Sequence, residues 1–168
     1  GIRHIIFDLG GVLLNIDYNL TEQAFVAAGI RNFSELYAQL HQSELFDRFE
    51  MGQMPAKEFV TALINASSQA VTETQIINAW NAMLLDFPLR RLQILQQLHL
   101  YYDLFLLSNT NEIHEEAFNG ILQRAHGLPS ISVLFDRVYL SHRLGMRKPM
   151  KEIFQRVLDD NGLKPEET

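Results

Sequence analysis

The chain has no cysteine, no long hydrophobic run and no excess of basic residues. The absence of cysteine excludes disulfide bridges, thiolate nucleophiles and cysteine-ligated metal sites. Because no apolar stretch approaches the roughly 20 residues that a bilayer span requires, we expect no membrane segment and a cytoplasmic protein. A net charge of −6 argues against the clustered Lys and Arg that bind nucleic acid, so we expect no nucleic-acid partner.

What the chain does contain is enough apolar sequence for a folded domain. With 168 residues, of which 47% are hydrophobic, it can bury a substantial core and suits one domain with a small insertion. Its six histidines are scattered without metal-ligand spacing, so we expect them to be structural or exposed. A small phosphorylated ligand, held by a few local cations, is compatible with this composition.

The most informative segment is residues 5–14, an apolar run that reaches Asp8 and then turns through Gly10 and Gly11. In open α/β sheets, ligands bind where the strands end, and glycine lets the backbone approach a ligand closely. An aspartate at a strand end also commonly caps the following turn. This segment alone therefore leaves a catalytic and a structural role open.

Two later segments have the same layout. The apolar run 104–107 is followed by Ser108-Asn109-Thr110-Asn111, and residues 138–141 lead to a loop that carries Lys148 and Pro149. An apolar strand ending in Asp, then one ending in Ser-Asn, then a Lys-Pro loop, in that order, resembles the haloacid dehalogenase superfamily. Within it, the chain is most similar to bacterial sugar phosphatases of the glucose-1-phosphatase type.

Helical spacing of apolar residues fills the interval between the first and second strands. It extends from residue 19 to residue 85 and includes a capping-box pattern at Thr72 and Gln75. The resemblance implies an α/β fold: a Rossmann-like core with a parallel sheet, formed by residues 1–14 and 88–168, and an α-helical cap inserted at residues 15–87.

The resemblance also implies a role for each motif residue. Asp8 would be the catalytic nucleophile that forms an aspartyl-phosphate, and Asp8 with the Gly10 carbonyl would hold Mg²⁺, a cation that prefers oxygen ligands. The Ser108 hydroxyl and the Asn109 backbone N–H would bind the phosphoryl oxygens. Lys148 would neutralise the charge that develops on the transferred group.

Glu50 and Gly52 lie in a bend between two cap helices, where we expect them to face the site and contact the substrate, although such a pair also forms ordinary turns. Together these features predict a Mg²⁺-dependent phosphatase of a small phosphorylated metabolite, with a sugar phosphate preferred. We expect a monomer or a homodimer.

Two features depart from the superfamily pattern. Most of its phosphatases have a second aspartate at the position of Gly10, where it acts as a general acid and base, a contribution typically worth about 10²–10⁴-fold. An anomeric phosphate leaves without strong protonation, so the absence of this acid favours a sugar 1-phosphate as substrate. Asp17 is either a replacement for the missing acid or a turn residue.

The second departure concerns the end of the sequence. The family's fourth strand with its acidic metal ligands would begin near Thr168, so we expect this sequence to be a fragment of a longer chain.

These departures leave two alternative functions open. One is a 2-haloacid dehalogenase, which also uses an aspartate nucleophile but attacks carbon without a metal. The other is a non-catalytic protein that binds a phosphorylated metabolite for regulation, having kept the phosphate-binding loops without turnover.

Overall fold

Three short parallel strands form the centre of the protein, described over residues 1–168 by a computed structural model. They are β1 (His4–Phe7), β2 (Asp103–Ser108) and β3 (Arg137–Leu140), in the order β1-β2-β3. All three run in the same direction, with Phe7 opposite Leu106 and Ser108 opposite Leu140. Their carboxyl ends therefore meet at one edge of the sheet, where the motif loops begin.

Residues 104–107 of strand β2 are all apolar because both faces of the strand are covered. Leu104 and Leu106 point into one buried cluster, and Phe105 and Leu107 point into another on the opposite face. The first face packs against α6 (Leu89–Leu98) and α7 (Glu112–His126), and the second against α9 (Lys151–Asn161); a short α8 (Ser141–Leu144) follows β3. The predicted α/β fold with a parallel sheet is confirmed.

Between β1 and α6 the chain forms a helical insertion, residues 18–81. Its helices are α1 (Tyr18–Ala27), α2 (Phe33–Gln42), α3 (Leu45–Glu50), α4 (Ala56–Ala66) and α5 (Glu73–Asn81). They enclose a separate apolar cluster, in which the rings of Phe49 and Phe59 stack with centroids 4.1 Å apart. The cluster includes Ile113 of α7, so the insertion packs directly on the sheet-bearing part.

The ends of two insertion helices follow the polar signals in the sequence. Thr72 and Gln75 form the expected capping box at the start of α5. Asp17 caps α1, where its carboxylate accepts a hydrogen bond from the Asn19 N–H at 3.0 Å. Asp17 therefore has the structural role of a turn residue in this arrangement.

The separate apolar clusters agree with a division of the chain into a sheet-bearing core and an inserted cap. The boundaries of that division, residues 1–14 and 88–168 for the core and 15–87 for the cap, stay a prediction. None of the helices has the length and apolar character that crossing a membrane requires.

The Phe49–Phe59 stack is predicted to be a main source of stability for the insertion. Phe59 is fully buried, so Phe59→Ala is expected to reduce the free energy of unfolding by about 3–5 kcal/mol, through lost burial and a residual cavity. Urea unfolding followed by circular dichroism measures this change. Val26→Ala, at an exposed position of the same insertion, is the control, and an equal effect of the two substitutions would contradict the assignment.

Candidate functional site

A cavity of about 280 Å³ lies at the carboxyl edge of the sheet, and the three motif loops converge on it. Its lining includes Asp8 and Gly10 after β1, Ser108 and Asn109 at the end of β2, and Lys148 in the loop that follows α8. Residues 140 positions apart in the chain thus share one cavity because parallel strands bring their carboxyl ends together.

The central contact of this cavity joins Asp8 to Lys148. The Lys148 ammonium donates to Asp8 Oδ1 at 3.0 Å and to the Leu107 carbonyl, also at 3.0 Å. Asp8 Oδ1 accepts a second bond from the Leu9 N–H at 2.8 Å, whereas Oδ2 has no hydrogen-bond partner. The carboxylate is therefore held through Oδ1, and Oδ2 is available to a ligand.

The side chain of Asn109 holds the backbone of Lys148. Its Nδ2 donates to the Lys148 carbonyl at 2.9 Å, and its Oδ1 accepts from the Lys148 N–H at 2.8 Å. The Asn109 backbone N–H has no hydrogen-bond partner and stays available at the cavity. From the sequence, a role was predicted only for this N–H. The pairing of the Asn109 side chain with the Lys148 backbone could not be predicted from the spacing of the two residues.

A second pairing joins the same loops and was also missed from the sequence. Ser141, fully buried at the start of α8, donates its hydroxyl to the Thr110 carbonyl at 3.1 Å and accepts from the Thr110 N–H at 3.0 Å. Ser108 is almost fully buried, and its hydroxyl makes only a long 3.5 Å contact with the Asn109 carbonyl. That hydroxyl is therefore available to a ligand.

The donor set near Gly10 fits a hard cation such as Mg²⁺. Backbone N–H groups of the loop bond to Leu9 and Leu14, and no hydrogen bond reaches the Gly10 carbonyl. This carbonyl and Asp8 Oδ2 are thus two unpartnered oxygens on one cavity, and oxygen ligands are those that Mg²⁺ prefers. Within residues 1–168 no cluster of three or more acidic or histidine side chains suited to a metal is present.

Packing around position 10 also favours glycine there. A Cβ atom at this position would lie 2.6 Å from Cδ1 of Ile16, which lines the same cavity. An aspartate side chain at position 10 would therefore require Ile16 to move. The space that a second carboxylate would take is occupied by an apolar group.

Glu50 and Gly52, expected to face the substrate, do not line the Asp8 cavity. Glu50 instead accepts from Arg147 at 2.8 and 2.9 Å, and Asp47 lies 3.5 Å from the same guanidinium. Gly52, with a φ of +67°, packs so closely on the His142 backbone that a Cβ would lie 2.1 Å from its carbonyl oxygen. The contact of both residues with substrate stays a prediction. Arg147 is half-buried, and its ion pair joins the insertion to the core.

His114 is a buried polar residue of the cavity wall. Burial lowers the pKa of its imidazole to about 4, so the ring is neutral at pH 7. Nε2 donates to the Trp80 carbonyl at 2.9 Å, and Nδ1 accepts from the Asn111 amide at 3.3 Å. The ring also stacks on Trp80 with centroids 4.7 Å apart. His114 thus joins α7 to the end of α5.

This histidine predicts a pH dependence of stability. The unfolded chain binds a proton at an imidazole pKa near 6.5, and the folded protein only at about 4. Above pH 6.5 the imidazole is neutral in both states, and this histidine does not reduce the free energy of unfolding. As the pH falls toward 4, the unfolded chain gains a proton that the folded protein does not. The free energy of unfolding is therefore expected to fall by about 2 kcal/mol between pH 7 and pH 5. Urea unfolding at both pH values should show this loss in the natural chain and a smaller one in His114→Phe. Equal losses in both proteins would contradict the assignment.

Comparison with known proteins identifies similar chains. The model of the haloacid dehalogenase-like hydrolase family matches residues 2–168. A D-ribitol-5-phosphate phosphatase from Bacteroides thetaiotaomicron is 32% identical over 167 residues, which cover 99% of this chain and 81% of that protein.

Solved structures agree with this match. A crystal structure of a HAD family enzyme from the same organism, in complex with magnesium, superposes with a TM-score of 0.91 at 33% identity and covers 100% of this chain and 82% of that one. A second structure of that enzyme, wild type with magnesium and inorganic phosphate, gives a TM-score of 0.87 at 34% identity, with coverage of 100% and 83%.

Proposed function

Because the chain belongs to the haloacid dehalogenase-like hydrolase family, we propose that it hydrolyses the phosphate ester of a small sugar or polyol through an aspartyl-phosphate. The resemblance seen in the sequence, and with it the prediction of a hydrolase, is confirmed. The observation that carries the proposal is the 3.0 Å contact between Lys148 and Asp8, in a cavity with an available hydroxyl and an available backbone N–H.

The first chemical step is a displacement at phosphorus. A carboxylate oxygen of Asp8 attacks phosphorus, and the bond from phosphorus to the ester oxygen breaks. Lys148 has three N–H donors, of which two are used by Asp8 and Leu107, so one is free for a phosphoryl oxygen. The Ser108 hydroxyl and the Asn109 N–H are placed to bind the others, which stabilises the charge of the transition state.

The second step returns the enzyme to its starting state. Water attacks phosphorus, the bond to Asp8 breaks, and inorganic phosphate leaves with the Asp8 carboxylate restored. Gly10 has no side chain to donate or accept a proton in either step, so the departing oxygen takes its proton from solvent.

In the same proposal, Asp8 and the Gly10 carbonyl hold Mg²⁺. When bound, the cation offsets the repulsion between the carboxylate and the anionic phosphate. Their unpartnered oxygens support this assignment, as do the magnesium complexes of the similar Bacteroides enzyme.

The substrate class rests on the similar phosphatase, which acts on D-ribitol 5-phosphate. A sugar or polyol phosphate is therefore preferred here to other small phosphorylated compounds. Residues 15–87 would act as a cap that encloses the substrate, joined to the core through the Glu50–Arg147 ion pair. The cytoplasmic location and the monomeric or dimeric state stay predictions.

The dehalogenase alternative has less support in the site. That reaction attacks carbon and needs no cation, whereas the unpartnered Asp8 and Gly10 oxygens suit one. Release of halide without a metal would indicate the dehalogenase reaction. A binding protein without turnover would show ligand-induced stabilisation and no product.

Asp8→Asn tests the nucleophile. The amide is a far poorer nucleophile, so phosphate release from D-ribitol 5-phosphate and related sugar phosphates is expected to fall by at least about 10³-fold. Release is measured with Mg²⁺ and with a chelator, and the natural chain should be active only with Mg²⁺. Asp103→Asn, which removes a carboxylate from the opposite end of the strands, is the control.

These assays use the protein extended through its natural C-terminus. No phosphate release from any substrate by that folded protein would contradict the phosphatase proposal. Equal activity of Asp8→Asn and Asp103→Asn would contradict the assignment of Asp8.

Asn109→Ala tests whether the amide positions Lys148. Loss of both bonds to the Lys148 backbone is expected to reduce kcat/KM by about 10- to 100-fold, because small displacements of a charge-stabilising group are costly. Asn119→Ala is the matched control, since the Asn119 side chain supports only the Ile131 N–H, at 2.9 Å. A loss no greater than that of Asn119→Ala, at comparable thermal stability, would exclude this role.

A further inference from the structure

A buried hydroxyl outside the lining of the Asp8 cavity holds the loop that follows β2. Ser141 has no exposed surface, and it is not among the residues that line this cavity. Its Oγ accepts from the Thr110 N–H at 3.0 Å and donates to the Thr110 carbonyl at 3.1 Å. No backbone group bonds to either of these Thr110 atoms. Within residues 1–168, Ser141 is therefore the partner of both.

The register of the sheet places Ser141 beside Thr110. Ser108 lies opposite Leu140 in the parallel ladder, and Ser141 follows Leu140 directly. The ladder ends at this pair because the chain turns into α8 after β3. The Ser141 hydroxyl then supplies the donor and the acceptor that the ladder no longer provides to the Thr110 backbone.

Asn109 lies between two parts of the backbone that are held in place. The residue before it, Ser108, is paired with β3, and the peptide after it is held through the Thr110 N–H by Ser141. Because a peptide is planar and each residue has only two soft dihedral angles, these anchors restrict the direction of the Asn109 N–H. This N–H is one of the unpartnered groups available at the cavity.

We propose that Ser141 is a positioning residue for the phosphate site, which aims the Asn109 N–H at the phosphoryl group through Thr110 without touching the substrate. The inference rests on the proposed phosphatase function. Thr110 is only 7% exposed, so without the hydroxyl its N–H and carbonyl would be buried with no partner, which is costly. The loop is then expected to shift to satisfy them, and the Asn109 N–H shifts with it.

Thr21 provides a matched control in the insertion. It is also fully buried, and its hydroxyl accepts from the Met83 N–H at 3.0 Å and donates to the Trp80 carbonyl at 3.2 Å. Neither partner belongs to the loops that carry Asn109 and Lys148. Thr21→Val therefore removes the same kind of double contact, at similar burial, away from those loops.

Binding of inorganic phosphate tests the inference without turnover. In the protein extended through its natural C-terminus, with Mg²⁺ present, Ser141→Ala is expected to weaken phosphate binding by about 3- to 10-fold, because one donor is displaced. Isothermal titration calorimetry measures this change. Thr21→Val should bind phosphate as the natural protein does.

Amide hydrogen exchange tests the restraint on the loop directly. Exchange in the peptide that contains residues 108–111 should become faster in Ser141→Ala and stay unchanged in Thr21→Val. Ser141→Cys is a second variant, since its thiol is a weaker donor and acceptor. It is expected to lie between the natural protein and Ser141→Ala in both measurements.

Turnover measures the consequence for the reaction. The kcat/KM for D-ribitol 5-phosphate is expected to fall by about 10- to 100-fold in Ser141→Ala, because small displacements of a charge-stabilising group are costly. Thr21→Val is expected to keep the value of the natural protein. Thermal unfolding of both variants shows whether they are equally folded.

Phosphate affinity that is unchanged in the folded Ser141 variants, or that falls equally in Thr21→Val, would overturn the inference. Failure of the proposed function gives a different result. A natural protein that binds phosphate in a Ser141-dependent manner but releases none from any substrate would contradict the phosphatase reaction and support the positioning role of Ser141.

Discussion

The ion pair between Asp8 and Lys148 is the interaction on which the candidate site depends. It joins residues at opposite ends of the chain, and it forms only because β1, β2 and β3 are parallel and in register at their carboxyl ends. Supporting contacts fix both partners: Leu9 holds the Asp8 carboxylate, and Asn109 holds the Lys148 backbone. In the proposed reaction, charges that are fixed before substrate arrives would need little reorganisation when phosphate binds.

The helical insertion is joined to this site at a small number of polar contacts. The Glu50–Arg147 pair attaches the end of α3 to the residue before Lys148, and Gly52 lets the chain approach the His142 backbone. His114 and Trp80 form a further junction between α7 and α5. The loop that carries Lys148 is thus held on one side by the core and on the other by the insertion.

Sequence patterns predicted the parts of this structure that depend on local chemistry. The apolar strand at residues 104–107 and the capping box at Thr72 both appear at the expected positions. The strand-end positions of Asp8 and Ser108 and the loop position of Lys148 predicted that these three residues would share a cavity, because parallel strands leave little alternative.

Side-chain pairings between distant segments were not predictable in the same way. Ser141 with Thr110, Asn109 with the Lys148 backbone, and Glu50 with Arg147 all depend on how loops pack, and nothing in their sequence separation indicates a partner. For the same reason the Glu50–Arg147 ion pair was not expected, and the contact of Glu50 with substrate stays a prediction. Contacts of this kind follow from the folded geometry and not from propensity.

The most direct test of this account is mass spectrometry of the protein quenched in acid during turnover of D-ribitol 5-phosphate with Mg²⁺. The account predicts a phosphoryl group on the peptide that contains Asp8, present during turnover, removed by hydroxylamine and absent from Asp8→Asn. Phosphate release with no labelled peptide, or a phosphoryl group on another residue, would contradict the assignment of Asp8 as the nucleophile.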